Sequence, residues 1–263
     1  MHPVELGELE AFRDFYAAAP PEVGARTKEV DGALCVRLEP LSSVTMFNRV
    51  LGLGLDGPAT EAQLDEALDF LRGVEAYVTV APDAEPQDLG EQLLARGLPP
   101  DRGWTKFSRS TADPPQAGTE LRVERDERGD AFAEAATRGF GVPDLFLDWL
   151  RRLADRDGWQ CWVGFDGDRP AAAGALFVTG RVAWNGIGAT VPEHRGKGGQ
   201  GALLAARIRA AAEAGCEVVV TETGEPVDGL ANGSYRNIVR AGFEPLYVRR
   251  NYLSATAASY ART

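Results

Sequence analysis

The stretch ATVPEHRGKGGQGALL, from Ala189 to Leu204, holds the residues of this 263-residue chain best suited to chemistry. Glycines at 196, 198, 199 and 201 stand between the end of an apolar segment and the start of a helical one. Closely spaced glycines let backbone amides converge without side chains between them, and a helix start adds unpaired N–H groups and the positive end of its dipole. Such a cradle suits a pyrophosphate. Arg195 and Lys197 add full positive charge beside it, in a chain that is otherwise acidic.

Phosphate-binding loops differ in spacing. A P-loop needs a glycine five residues before Gly196 and Ser or Thr after Lys197, and these positions hold Val191 and Gly198. Gly196, Gly198 and Gly201 do satisfy the dinucleotide fingerprint, with Glu222 about 20 residues on, where an acidic residue would meet a ribose. That pattern belongs immediately after a first parallel strand. Here Pro192 to Arg195 intervene, three hairpin-linked strands come earlier, and little chain follows Glu222 for a doubly wound sheet. An NAD-binding oxidoreductase stays open as the weaker alternative.

The elements that must position this loop can be read from spacing. Thr111 to Glu120 concentrates proline, glycine and small polar residues, which places a boundary between a unit at 1–112 and a second at 119–263. After it, LRVER reads as a strand, and Phe132, Ala135 and Ala136 mark a helix. Leu145, Phe146, Trp149, Leu150 and Leu153 form the apolar stripe of a second helix over Val142 to Ala154. WQCWVGF, AAAGALFV and VAWNGIGATV follow as an antiparallel meander with turns at Asp166-Gly167 and Thr179-Gly180. Leu204, Ile208, Ala211 and Ala212 then share one helical face that Gly215 ends. The strand EVVVTE, a helix through Tyr235 and Val239, and the segment PLYVRRNYL complete the order. The first unit echoes this in weaker form: MFNRVLGLGL matches VAWNGIGATV, AYVTV matches VVVTE, and LLARGLPPDRGWTKFSR matches NIVRAGFEPLYVRRNYL. Between the first two, a helix with Thr60 as its N-cap is expected, but no glycine-rich loop precedes it.

Composition narrows the chemistry further. Cys35, Cys161 and Cys216 have no paired spacing and read as buried thiols. His2 and His194 are the only histidines, so a histidine triad or metal cluster is set aside and no metal is expected. A formal charge of -11 repels nucleic-acid backbones, and suits either a cationic substrate or solubility alone. No apolar run approaches the roughly 20 residues of a membrane span, and the opening MHPVELGELEAF lacks the pattern of a signal peptide, so a cytoplasmic protein is expected.

The loop and the element order from Leu121 to Leu253 resemble the GNAT superfamily of acyl-CoA-dependent N-acyltransferases, whose signature is Q/R-x-x-G-x-G/A. Arg195, Lys197 and Gly198 fit it in register, while Gln200 occupies the final Gly/Ala position between Gly199 and Gly201. The resemblance implies an α/β mixed sheet, as tandem GNAT-like domains with the first degenerate, and acetyl-CoA or another acyl-CoA as co-substrate. It implies that Ala189, Thr190 and Val191 meet the pantetheine arm. Arg195, Gly196, Lys197, Gly198, Gly199, Gln200 and Gly201 would hold the pyrophosphate, and Asn232, Ser234 and Asn237 would lie near the arm. Gly186 and Gly188 fit a bulge that opens a slot beside the next strand. Acyl transfer to an amine needs a base, and Glu222, alternating with Val218 and Val220, is the candidate. The family's acid position, four residues before Gly242-Phe243, holds Ile238; Tyr235, one turn away, is the substitute. The expected function is N-acetyl transfer to a small-molecule amine, with a catalytically silent acyl-CoA sensor as the alternative. Neither nucleic acid nor membrane is an expected partner, and a homodimer is left open.

Overall fold

The structure is a computed structural model that describes residues 2–254; residue 1 of the first expected unit and residues 255–263 of the second lie outside them. The chain opens with α1 (Pro3–Ala17), started by a proline in its first turn and by His2, whose side chain accepts from Val4 N. Then come β1 (Ala25–Val30), β2 (Ala33–Leu38), β3 (Arg49–Leu51), α2 (Glu61–Phe70), β4 (Ala76–Val80), α3 (Leu89–Ala95) and β5 (Pro100–Ser110). Thr60 caps α2 reciprocally with Gln63. The segment MFNRVLGLGL forms a shorter strand than its pattern suggests. Thr45–Phe47 is a 3-10 turn, and Gly52 and Gly54 take positive φ directly after β3.

The segment 111–120 carries no helix or strand. Beyond it run β6 (Arg122–Arg125), α4 (Asp130–Phe140), α5 (Phe146–Arg151), β7 (Trp159–Asp166), β8 (Arg169–Thr179), β9 (Val182–Thr190), α6 (Gly199–Glu213), β10 (Val218–Gly224), α7 (Gly233–Arg240) and β11 (Glu244–Ser254). α5 is shorter than its stripe, because the chain tightens to a 3-10 turn over Arg152–Asp155 and Leu145 stays exposed. Both units follow the same order of hairpin, parallel crossover and closing strand: β3 is parallel to β4 as β9 is to β10.

The eleven strands of the described residues join one mixed sheet in the order β1-β2-β3-β4-β11-β5-β10-β9-β8-β7-β6. The closing strands are exchanged. β5, which ends the first unit, pairs with β10 of the second, whereas β11 pairs with β4 of the first, and β5 and β11 pair with each other. This is not a doubly wound parallel sheet, which removes the architecture that an NAD-binding reading requires.

One face of the sheet is covered by a core that mixes both units. Phe15 of α1 stacks on Trp149 of α5 at 4.1 Å, and Trp149 Nε1 donates to Phe15 O at 2.7 Å. Truncating such a buried tryptophan costs about 3–5 kcal/mol. α6 and α7 cover the other face through Leu204, Ile208, Ala211 and Ile238. All three cysteines are buried and free, with burial pushing the Cys35 thiol up to about 12. Among the described residues no helix is long and apolar enough to cross a membrane.

Candidate active site

The glycine loop joins β9 to α6 through a 3-10 turn at Pro192–His194. Gly196 and Gly198 take φ of +85° and +77°, and Gly198 is the N-cap of the 15-residue α6. Among the described residues, the amides from Gly196 to Gly201 donate to no protein acceptor. They therefore remain available to an anion at the positive end of a long helix. The two cations beside them differ. Arg195 is exposed and makes no ion pair among the described residues, whereas Lys197 Nζ lies 2.5 Å from Asp166 Oδ2, which also contacts His194 Nδ1 at 2.8 Å. Hydrogen bonds from Lys197 and His194 hold the Asp166 carboxyl below its ordinary range. Lys197 thus ties the loop to the β7–β8 turn, with its charge already compensated. The inter-unit segment braces the loop from outside, through Thr119 Oγ1 to Lys197 O at 2.8 Å.

β9 carries a bulge where Gly186 and Gly188 stand: Ala173 faces Ala189 and Ala175 faces Gly186, so β9 holds one extra residue, with Ile187 at φ +49°. Glycine at 186 is required by contact, since a Cβ there would lie 1.8 Å from the Trp184 ring. Gln200 departs from the family signature in a way the bulge explains. Its Nε2 reaches back to Ala189 O at 2.6 Å and Ala173 O at 3.1 Å, bridging the widened strands.

β9 and β10 pair only from Val182 to Trp184 and from Val218 to Val220, then separate, bridged by Thr221 Oγ1 donating to Asn185 O at 2.7 Å. Through this slot runs a cavity of about 450 Å³. On the α1 side it is lined by Phe12, Phe15, Phe47, Phe146, Trp184 and Arg49, and on the α7 side by Ser234, Asn237 and Ile238. Asn185, 2% exposed, lines it with neither amide atom hydrogen-bonded. The cavity adjoins a cleft of about 1020 Å³ over the glycine loop, bordered by Ala189, Thr190, Asn232, Ser234, Asn237 and by Arg102, Arg236 and Arg240. Val191 lies behind the cleft, its amide committed to Ala171 O at 2.9 Å. Asn232 caps α7, accepting from Tyr235 N at 2.8 Å and donating to Gly224 O at 3.0 Å.

Glu222 sits where the slot opens, on the α1 face shared with Val218 and Val220. It accepts from Trp184 Nε1 at 3.2 Å and from Lys106 Nζ at 3.0 Å. Lys106, its cross-strand neighbour on β5, also donates to Glu8 at 2.7 Å. Arg249 of β11 holds Glu5 at 2.9 Å and Glu8 through both Nη atoms, and Arg49 Nη1 lies 3.5 Å from Glu8. Three carboxylates and three cations thus share one buried network. Burial and the neighbouring Glu8 raise the pKa of Glu222, outweighing Lys106. Burial alone would raise Glu8 too, but the charges of Arg249 and Lys106 prevail and hold it below the carboxylate range.

Tyr235 is placed elsewhere: its ring packs edge-on against Phe107 at 5.0 Å and lines neither the cavity nor the cleft. Arg236 and Arg240 both border the cleft, and their four-residue spacing on α7 is the sequence signal for a cationic pair facing one way. Glu5 and Glu8 likewise stand on the buried face of α1 that carries Val4, Ala11 and Phe15. Lys106 carried no such signal, because its position beside Glu222 depends on the strand exchange.

No protein-family model matches the chain, and no curated protein matches it. Solved structures do match in fold. A GCN5-related N-acetyltransferase from Kribbella flavida superposes with a TM-score of 0.60 at 16% identity, covering 97% of this chain and 98% of that one. A GNAT-family putative acetyltransferase from Novosphingobium aromaticivorans gives 0.54 at 16% identity, covering 96% and 98%. A tandem GNAT protein from the clavulanic acid biosynthesis pathway gives 0.58 at 16% identity, covering 84% and 78%. The chain has the fold of the GCN5-related N-acetyltransferases, in a tandem arrangement.

Proposed function

We propose that this protein transfers an acetyl group from acetyl-CoA to the amine of a small molecule. The observation that carries the reading is the continuity of three features: free amides at the start of α6, the slot where β9 and β10 part, and a buried carboxylate at its end. The residues fit the coenzyme. The unpartnered amides of Gly196 to Gly201 with Arg195 suit a pyrophosphate, Arg102, Arg236 and Arg240 border the same cleft, and the orphaned Asn185 amide lies in the slot. When bound, acetyl-CoA supplies an acyl group activated as a thioester.

The protein's own residues then have three tasks. The glycine loop orients the coenzyme, and the aromatic cavity on the α1 side excludes water from the acceptor. Glu222 takes the proton that an alkylammonium must lose before it can attack, and its raised pKa improves it as a base near neutrality. Among the described residues no tyrosine lines the slot: Ile238 lines it instead, and a coenzyme thiol, with a pKa near the cysteine value of about 8.5, can leave without strong acid assistance. That same observation supports the second reading, a silent acyl-CoA sensor. The reading carries with it a cytoplasmic protein whose partner is a small-molecule amine.

Calorimetric titration with acetyl-CoA, followed by release of free thiol with a panel of amines, tests both. Binding with turnover supports the enzyme, binding without turnover the sensor, and absence of binding sinks both.

A further inference from the structure

The charge lining the cavity constrains the acceptor. Arg49, Arg207 and Glu222 are its charged residues among those described, so two cations face one carboxylate. Arg207, 2% exposed, donates to the carbonyls of Leu203, Ala175 and Gly186 and has no carboxylate partner among the described residues. Burial lowers its pKa to about 9, which leaves it charged at neutral pH.

Arg49, 4% exposed, is held over the rings of Phe12 and Trp104, at 4.7 and 5.2 Å from their centroids. Its Nε donates to Met46 O at 2.7 Å, and its Nη1 makes only the 3.5 Å contact with Glu8, a carboxylate already engaged by Arg249 and Lys106. Nη2 donates to no acceptor among the described residues. A guanidinium fixed between aromatic faces with one edge unspent, on the wall of an apolar cavity, is a carboxylate anchor.

We infer that the acceptor is an amine that carries a carboxylate on an apolar body, that Arg49 holds the carboxylate, and that Phe12, Phe15, Phe47, Phe146 and Trp184 enclose the body. The proposal rests on the acyltransferase reading and narrows it. Glu222 lies on the same wall, with the rings of Trp184 and Phe12, 5.9 Å apart, between it and Arg49, so one molecule can turn its amine toward Glu222 and its carboxylate toward Arg49. A polyamine or other multiply cationic acceptor would bring positive charge against Arg49 and Arg207. The acidity of the chain as a whole does not extend to this cavity.

The test uses full-length protein saturated with coenzyme A, which has no acyl group to transfer, titrated calorimetrically with L-phenylalanine, L-leucine, 2-phenylethylamine and spermidine. L-phenylalanine is expected to bind at least about tenfold tighter than 2-phenylethylamine, the share of one charge-assisted hydrogen bond. Spermidine should bind more weakly than either. Arg49→Met should bring L-phenylalanine down to the level of 2-phenylethylamine. The wild-type comparison of acid with decarboxylated amine stands even if that variant folds poorly. Equal or tighter binding of 2-phenylethylamine or spermidine overturns the proposal, as does the absence of binding by both amino acids. Failure of coenzyme A itself to bind falls on the acyltransferase reading; L-phenylalanine titrated into the free protein then still decides the Arg49 assignment.

Discussion

Replacing Lys106 by methionine removes one cation from between two buried carboxylates. The Lys106 side chain is 0% exposed, 2.7 Å from Glu8 and 3.0 Å from Glu222. At an effective dielectric of about 20, each contact is attractive by roughly 5–6 kcal/mol. Burying the ammonium offsets several kcal/mol of that sum. Methionine fills similar space but leaves Glu8 and Glu222 to share Arg249 and Arg49, so the net loss should be about 3–5 kcal/mol, the usual cost of breaking a buried pair. For a chain of this size that corresponds to a drop in Tm of roughly 6–20 °C, measurable by scanning calorimetry. Glu222→Gln added to the variant removes the carboxylate left without its hydrogen-bonded cation and should recover part of the loss. A loss under about 1 kcal/mol would place the network among solvated surface pairs and refute the reasoning.

Arg195→Glu, at an exposed side chain without an ion pair among the described residues, should weaken acetyl-CoA binding by about 10–100-fold without changing Tm, and unchanged affinity in calorimetry would move the phosphate site elsewhere. It is a cleaner probe than Gly198→Asp, whose Cβ would meet Gly118 O at 2.5 Å in a left-handed backbone. Tyr235→Phe should leave turnover unchanged, since the ring packs on Phe107; a loss of roughly 10²-fold would restore it as the acid. In the wild type, kcat/KM should rise with pH through the raised pKa of Glu222, and Glu222→Gln should abolish that limb; an unaltered profile removes Glu222 as the base. Glu5 and Glu8 are both depressed in the folded state, so the stability they contribute is present above about pH 4.3 and lost as pH falls below it, to be read as a falling urea midpoint. A flat midpoint through that range would contradict the network.

Much of the second unit was legible because its signals are local. The turn residues at Asp166-Gly167 and Thr179-Gly180 set the meander, and the spacing of Leu204, Ile208 and Ala211 set α6. Glu222 could be assigned a face because strand alternation with Val218 and Val220 is strict. The failures share a different cause. Pairing of β5 with β10 joins strands far apart in sequence, and the apolar alternation of either strand does not name its partner. Lys106 therefore read as one lysine among many. Tyr235 was displaced by a smaller effect: one helical turn separates it from Ile238, and that turn carries it from the cavity wall to the Phe107 core.

The strand exchange also gives the first unit a part in the site. Its own loop ahead of α2 is closed off, with Glu85 N donating to Gly54 O at 2.9 Å and Ala59 N to Glu85 O at 2.8 Å, so no free cradle stands there. Yet β5 delivers Lys106 and Trp104, β3 delivers Arg49, and α1 delivers Glu5, Glu8, Phe12 and Phe15 to the wall opposite the glycine loop. The second unit supplies the slot, the loop and Glu222. The charge state of Glu222 thus depends on Lys106 and Glu8, which arrive from the other copy through contacts of 3.0 Å or less, as well as on Arg249 of its own unit. A copy that has no phosphate cradle is kept in register by this network and by the aromatic wall, and changes in α1 should act on the base directly even though α1 lies more than 200 residues from it in sequence.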